Sequence, residues 1–220
     1  MAHVAVMEPP AAAEQGAGVY NEKLGMWIFL GSEVMFFTAL IGSYIILRFG
    51  AQGPWAAPGV VLNVPVTAFN TFLLICSSVS MVKAYAAVVD GDQAKFKMWL
   101  LLTIIAGASF VGVQGYEYTH LIQDGFLPSG IREGSELAEK VAAGAVPEAT
   151  AGIYGSSFYI MTGFHGFHVT CGVVSMMWVY LKALRGGYSS SDYRGVEVIG
   201  LYWHFVDLVW IILFTIVYLV

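Results

Sequence analysis

Charged residues are scarce in this chain. Asp, Glu, Lys and Arg make up 11% of its 220 residues, whereas hydrophobic residues make up 58%. Soluble globular domains contain about 25% charged residues. The few charges also lie in short stretches between long apolar runs. This composition argues against an ordinary soluble domain and indicates a protein that is embedded in lipid.

Basic clusters and cysteine pairs are missing too. The formal net charge is -5, and the Lys and Arg residues form no patch of the kind that binds nucleic acid phosphates. Cys76 and Cys171 each lie within an apolar run and form no CxxC pair. We therefore expect no nucleic acid partner and no thiolate-bound metal.

The N-terminal segment lacks the features of a secretory signal peptide. Its first 20 residues carry Glu8 and Glu14 but no Lys or Arg. A signal peptide begins with a positively charged region, so this pattern argues against cleavage. We expect a mobile tail over residues 1–22 and a single transmembrane domain over residues 23–220.

The transmembrane domain is predicted to be all-α. About 20 helical residues cross a hydrocarbon layer of about 30 Å, and five apolar runs reach that length. They are too long and too uniformly apolar for alternating barrel strands. The predicted spans of this five-helix integral membrane bundle are 24–49, 64–89, 98–122, 154–184 and 196–220.

The basic residues predict the orientation of the helices. Seven flank one side of the predicted bundle: Lys23, Lys83, Lys95, Lys97, Lys182, Arg185 and Arg194. Three flank the other: Arg48, Arg132 and Lys140. The positive-inside rule then places the N-terminus inside and the C-terminus outside. The outer loop 123–153 is acidic through Glu133, Glu136, Glu139 and Glu148, and a short surface helix is expected around residues 135–143.

Among the ionisable residues within the spans, six are singled out as candidates: Glu33, Glu117, His165, His168, His204 and Asp207. Such groups cost roughly 2.5 to 3.5 kcal/mol to insert, so they normally face the bundle interior and have partners. A rise of 1.5 Å per residue places Glu33 about 14 Å and Asp207 about 16 Å from the inner ends of their helices. The two histidines of the fourth span lie at a similar depth, so we predict a buried polar network.

Three roles are open to this network. Carboxylates and histidines at matched depth are compatible with a metal centre such as a di-iron site, with a proton relay, or with a satisfied packing network. We favour packing.

Small and polar residues recur on single helix faces. One stripe runs through Thr67, Asn70, Leu74, Ser77 and Met81, and another runs through Thr103, Gly107, Phe110, Gln114 and Glu117. Such stripes are typical of tight helix–helix contacts in lipid. Glycines 163, 166 and 172 are expected to allow close approach of a neighbouring helix to the fourth span.

Four stretches carry a family resemblance. They are KLGMWIFLGSEVMFF from Lys23, GVQGYEYTHLI from Gly112, GSSFYIMTGFHGFHV from Gly155 and YWHFVDLVWIILF from Tyr202. In order and spacing they resemble subunit III of the haem-copper terminal oxidases, most closely the short, five-helix bacterial form of cytochrome c oxidase subunit III. The second span, with FNTFLLICSSVS, is also similar. Longer members of the family have two additional helices before the SEV element.

The resemblance implies a non-redox accessory subunit of a proton-pumping respiratory oxidase in the bacterial inner membrane. It implies haem and copper on partner subunits I and II, with no catalytic centre, cofactor or metal on this chain. It also implies packing against subunit I, bound phospholipid, and support of proton uptake and active-site integrity. Other respiratory complexes are possible further partners.

The site residues are carried over by motif. Glu33 matches the acid of the SEV element, and Glu117 matches the acid of the third-span motif. His165 and His168 match the FHGFH-like element, and His204 and Asp207 match the WHFVD element. The resemblance implies structural roles for all six.

Two other functions remain open. The chain also resembles the corresponding subunit of ubiquinol oxidases, whose helices carry similar HGLHV and WHFxDxVW elements. The electron donor is chosen by subunit II, so the sequence of this chain does not distinguish the two enzymes. A more distant alternative is an independent proton channel or transporter. The absence of an internal repeat argues against the transporters that are built from inverted halves.

Overall fold

The computed structural model describes residues 20–51, 53–55, 58–144 and 146–219. The helices in chain order are α1 (Asn21–Gly50), α2 (Pro58–Val61), α3 (Val64–Val89), α4 (Gln93–Gln123), α5 (Glu136–Ala142), α6 (Glu148–Leu184) and α7 (Arg194–Phe214), which continues as a π-helical turn (Thr215–Leu219). A two-stranded antiparallel hairpin joins β1 (Phe126–Leu127) to β2 (Gly130–Ile131).

Five of these helices, α1, α3, α4, α6 and α7, are long and apolar enough to cross a membrane. The prediction of five transmembrane helices is therefore confirmed. Helix α4 begins at Gln93 rather than at residue 98, because the side chain of Asp92 accepts a hydrogen bond from the backbone of Lys95 and caps the helix. Apolar periodicity alone does not detect such a polar first turn.

The first residues of α1 and α7 lie together, since Tyr20 and Lys23 both contact Glu197. We call this the N-terminal side of the bundle and the other the C-terminal side. The loop on the C-terminal side contains the hairpin and α5, whose cap Ser135 accepts a hydrogen bond from Ala138. Glu133, Glu136 and Glu139 are exposed there. The side chain of Glu148 and most of the predicted tail, residues 1–19, lie outside the described residues.

Helices α3, α4, α6 and α7 form the tightly packed part of the bundle, in which each helix packs against the next. All ten residues of the two predicted polar stripes are buried, so the expectation that they mark helix contacts is confirmed. Two tryptophans of α7 bind to α3: Trp203 Nε1 donates to Ser77 Oγ (3.0 Å), and Trp210 Nε1 donates to Thr71 Oγ1 (2.9 Å). These bonds satisfy indole groups that have no water available to them in the interior.

Glycines provide the space for this packing. The Trp203 ring fills the room beside Gly107 of α4 and Gly172 of α6, where an added Cβ atom would lie only 2.5 Å and 2.9 Å from the indole. A Cβ atom at Gly166 would collide with the Gln114 side chain. The glycines at 166 and 172 therefore allow neighbouring side chains to approach α6 as closely as the sequence predicted.

Helix α1 lies beside α7 and α6 on the edge of the bundle. Its buried residues are few: Leu30, Phe37 and Tyr44. They are spaced by seven residues, which is a single narrow stripe on one helix face. The remaining faces of α1 are exposed, and a wide groove opens between α1 and its two neighbours.

Candidate functional site

An ion-pairing contact joins α1 to α6 at membrane depth. The Glu33 Oε2 atom lies 3.0 Å from His168 Nε2, and His168 Nδ1 donates to the carbonyl oxygen of Phe164 (2.7 Å). A carbonyl oxygen only accepts, so Nδ1 carries a hydrogen. The contact with Glu33 then needs one proton, held either by Nε2 or by the carboxyl group. In both cases the pair has no net charge, which lowers the cost of placing it in lipid.

This pair lies in the wall of the groove between α1, α6 and α7, which we call the α1 groove. The groove has a volume of about 690 Å³ and opens at the protein surface. Apart from the pair, aromatic and aliphatic side chains dominate its lining, with Ser32, Ser175 and Cys171 between them. The aromatic and aliphatic residues of the lining are Met26, Phe29, Phe36, Phe164, Phe167, Ile199 and Tyr202. Its shape and polarity suit a long apolar chain.

The N-terminal end of α1 is attached to α7 by a polar cluster. The Glu197 carboxylate accepts hydrogen bonds from the Tyr20 hydroxyl (2.7 Å) and from Lys23, and the Arg194 guanidinium lies over the Tyr20 ring. Burial, reinforced by the adjacent Glu197 carboxylate, raises the pKa of Tyr20 above its ordinary value. The phenol therefore remains protonated and keeps its hydrogen bond.

The other end of α1 is held by aromatic contacts. The Tyr44 ring packs edge-to-face on Trp55, which packs in the same way on Tyr154 of α6. Arg48 donates to the Tyr44 hydroxyl (3.0 Å). Helix α1 is thus attached near both ends and at Glu33, and the groove lies between these attachments.

Glu117 lies elsewhere, in a buried pocket of hydroxyl groups. Its carboxyl group accepts from Thr67 Oγ1 (2.9 Å) and more weakly from the Tyr218 hydroxyl (3.3 Å). The residue is 8% exposed and links α4 to α3 and to the last turn of the chain. This arrangement is a satisfied interior contact.

His165 is completely buried among aromatic rings. Its imidazole stacks on Trp210 with a centroid distance of 4.8 Å, and the edges of Phe37 and Phe110 face it. Neither ring nitrogen has a hydrogen-bond partner among the described residues. The surroundings therefore favour a neutral imidazole that acts as part of the core.

His204 and Asp207 share a neighbour on α3. The Ser78 hydroxyl lies 2.6 Å from His204 Nδ1 and also interacts with the Asp207 carboxyl group. The Asp207 Oδ1 atom has no hydrogen-bond partner among the described residues. The two residues are three positions apart on α7, as their sequence spacing predicts.

The six ionisable residues thus occupy four separate places. Glu33 binds His168, His204 and Asp207 meet at Ser78, and Glu117 and His165 each lie apart. Within the described part of the chain, no hydrogen bond connects one of these places to another. Sequence reasoning did not identify the hydroxyl partners, Thr67, Ser78 and Tyr218. It also missed Glu197, although Glu197 and Lys23 are charges of opposite sign at helix ends on the same predicted side.

The described residues contain no group of three or more His, Cys, Asp and Glu side chains placed to hold a metal ion. Glu117 and His120 have the Glu-x-x-His spacing of di-iron bundles. The His120 side chain is exposed, however, and packs against the Tyr116 ring (4.4 Å between centroids) instead of converging on Glu117. The geometry therefore provides no support for a metal centre at this motif.

Comparisons with known proteins agree on one family. The sequence model described as cytochrome c oxidase subunit III matches residues 13–128 and 140–220. The probable cytochrome c oxidase subunit 3 of Nocardia farcinica (strain IFM 10152) is 32% identical over 220 residues, which cover 98% of both chains.

Two further relatives come from other bacterial groups. Cytochrome c oxidase subunit 3 of Bacillus sp. (strain PS3) is 30% identical, over 96% of this chain and 92% of its own. The subunit 3 of Thermostichus vulcanus is 34% identical, over 89% and 86%. The two segments matched by the family model include the α1 groove and all five transmembrane helices. The chain belongs to the cytochrome c oxidase subunit III family.

Proposed function

We propose that this chain is a non-redox accessory subunit of a proton-pumping cytochrome c oxidase in a bacterial inner membrane. It packs against subunit I, in a complex completed by subunit II, and its N-terminus faces the cytoplasm. Oxygen is reduced at haem and copper on the partner subunits. The chain itself binds phospholipid in the α1 groove and thereby supports proton uptake and the integrity of the active site during turnover.

The single observation that carries the lipid part of this proposal is the composition of the α1 groove. Its aromatic and aliphatic walls suit acyl chains, and its volume lies within the range of about 300 to 1,000 Å³ that is usual for ligand sites. The Glu33–His168 pair adds one polar contact without adding net charge. A lipid held here also covers the exposed aromatic rings of Phe164 and Phe167.

The first experiment tests membership of an oxidase. The chain is purified from its own membranes in mild detergent through an affinity tag, and co-purifying polypeptides and the optical spectrum are recorded. We expect a large haem-containing subunit. A colourless chain that repeatedly emerges alone and conducts protons in vesicles would instead support the independent channel or transporter.

A second experiment tests the groove. Ser175 lines it, whereas its neighbour Val174 is 64% exposed and does not. We expect the Trp side chain of Ser175→Trp to fill the groove and to reduce the phospholipid retained per haem. The enzyme should then complete fewer turnovers before it is inactivated. Val174→Trp is the matched control. Equal phospholipid content in both variants and in the wild type would contradict lipid binding in the groove.

The same purified complex also decides between electron donors. Oxidation of reduced cytochrome c, without quinol oxidation, is expected. Activity with quinol alone would assign the chain to the corresponding subunit of a ubiquinol oxidase.

A further inference from the structure

A second, smaller pocket lies on a different face of the bundle, between α3 and α7. It has a volume of about 210 Å³ and is lined by Met81, Val82, Tyr85, Val196, Glu197, Gly200, Leu201 and His204. We call it the seam pocket. It is separate from the α1 groove, which is bounded by other faces of α7.

His204 lines this pocket, and one of its ring nitrogens has no partner among the described residues. Its Nδ1 atom is bonded to Ser78, and no described residue bonds to Nε2. The side chain is only partly buried. His204 lies ten residues into α7, about 15 Å from the start of the helix, which is close to the middle of a hydrocarbon layer of about 30 Å.

Several other exposed hydroxyl groups on the bundle surface are satisfied within their own helices. The hydroxyls of Ser43, Ser109, Thr119, Thr170 and Thr215 each donate to the carbonyl oxygen four residues earlier in their own helix. They therefore face lipid without an unsatisfied group. A histidine cannot satisfy Nε2 in this way while Nδ1 is held by the neighbouring helix. An unpaired ring nitrogen in hydrocarbon costs free energy.

Lipid is a poor occupant for this position. Acyl chains offer no hydrogen bond, and headgroups lie at the membrane surface, far from the depth of His204. The surroundings of the pocket are apolar and protruding: Val79, Val82 and Leu208 are each more than half exposed. An apolar face with one unsatisfied polar group is typical of helix–helix interfaces in membranes, where polar side chains bind across the contact.

We propose that the α3–α7 face around the seam pocket is the docking surface for a transmembrane helix of another subunit of the oxidase. That helix presents a hydrogen-bonding side chain to His204 Nε2, and one of its apolar side chains enters the pocket. The inference rests on the proposed function in one respect only, namely that the chain is assembled with other membrane subunits.

The test uses the tagged chain in its native membranes. A photoreactive amino acid is introduced at Leu208 or Val82 on the seam face, and at Met35, which is 76% exposed on α1, as the control. Adducts are identified by mass spectrometry after purification. The purified preparation should contain haem. In it, we expect the two seam positions to be crosslinked to a transmembrane peptide of another oxidase subunit, and Met35 to be crosslinked mainly to lipid.

Two outcomes would overturn the inference while leaving the oxidase assignment in place. One is lipid adducts alone at both seam positions in a complex that still contains its haem subunits. The other is capture of the oxidase subunits from Met35 but not from the seam. A chain that co-purifies with no haem subunit at all would contradict the proposed function instead.

A set of substitutions isolates the role of Nε2. We expect His204→Leu to lower the partner subunit retained in detergent roughly three- to tenfold, which corresponds to one interhelical hydrogen bond. His204→Gln keeps a hydrogen-bonding group and retains more of the partner. Ser78→Ala removes the internal contacts with His204 and Asp207 but leaves Nε2 in place, so it should also retain more of the partner than His204→Leu. An equal loss in Ser78→Ala and His204→Leu would show that the inward bond is responsible and would refute the docking role.

Discussion

Helices α7 and α1 cross the same bundle but are held in different ways. Ten of the 21 residues of α7 are buried, compared with three of the 30 residues of α1. The contacts of α7 are distributed along its length, with two indole groups bonded to α3. The polar contacts of α1 with other helices lie at Glu197 and at His168, and its apolar contacts come from a narrow stripe that includes Phe37. One region is therefore a continuous packed core, and the other is an edge helix with a single buried stripe and a groove beside it.

The packed region should respond most strongly to truncation. Trp203 is fully buried between Gly107 and Gly172 and bonds to Ser77. Trp203→Ala removes these contacts and leaves a cavity, so we expect a loss of about 3 to 5 kcal/mol. Thermal unfolding in detergent, followed by circular dichroism, measures it.

Trp178 provides the matched control for that variant. It is a tryptophan on α6 that is 66% exposed. Trp178→Ala should shift the unfolding midpoint little. If the two variants unfolded at the same temperature, the difference between core and surface would be refuted.

The sequence predicted the packed region well, because helical periodicity determines which residues share a face. Every residue of the two stripes on α3 and α4 is buried. Trp203 fits beside glycines on two different helices, a contact that a stripe on a single helix does not reveal. The periodic pattern identifies the face, and the three-dimensional packing identifies its partner.

The polar residues were harder to assign for a geometric reason. Residue count along a helix gives the depth of a side chain but not its position in the membrane plane. Glu33, His165, His168 and Asp207 lie at similar depth by residue count, yet of these four only Glu33 and His168 meet. Partners such as Ser78 and Tyr218 are hydroxyl residues, which occur throughout the sequence and carry little signal.

The attachment of α1 should respond less to substitution. Both members of this ion pair are partly exposed: 18% of the Glu197 side chain and 30% of the Lys23 side chain are accessible to solvent. A partly exposed ion pair contributes about 1 kcal/mol or less. Glu197→Ala is therefore expected to leave the global unfolding midpoint nearly unchanged, while amide hydrogen exchange in the first turns of α1 becomes faster.

Glu22 serves as the control for Glu197. It is exposed in the first turn of α1, and Glu22→Ala should leave the exchange rates near those of the wild type. Faster exchange throughout α3 and α4 in the Glu197 variant would indicate that α1 and the core unfold together. That result would remove the proposed difference between the two regions.

The smallest effect is expected at the turn between α3 and α4, where the packed region meets water. Hydrogen bonds from the side chain and the backbone of Lys95 lower the pKa of Asp92 below its ordinary value. A lowered carboxyl pKa stabilises the fold above the unfolded pKa of about 3.8, and that stabilisation is lost as the pH falls through the folded pKa. Asp92→Asn keeps a capping side chain but not the charge. We therefore expect a slightly lower unfolding midpoint than wild type at pH 7, and a difference that shrinks as the pH falls below about 3.8. A difference that persisted at low pH would assign the effect to packing of the cap and not to its charge.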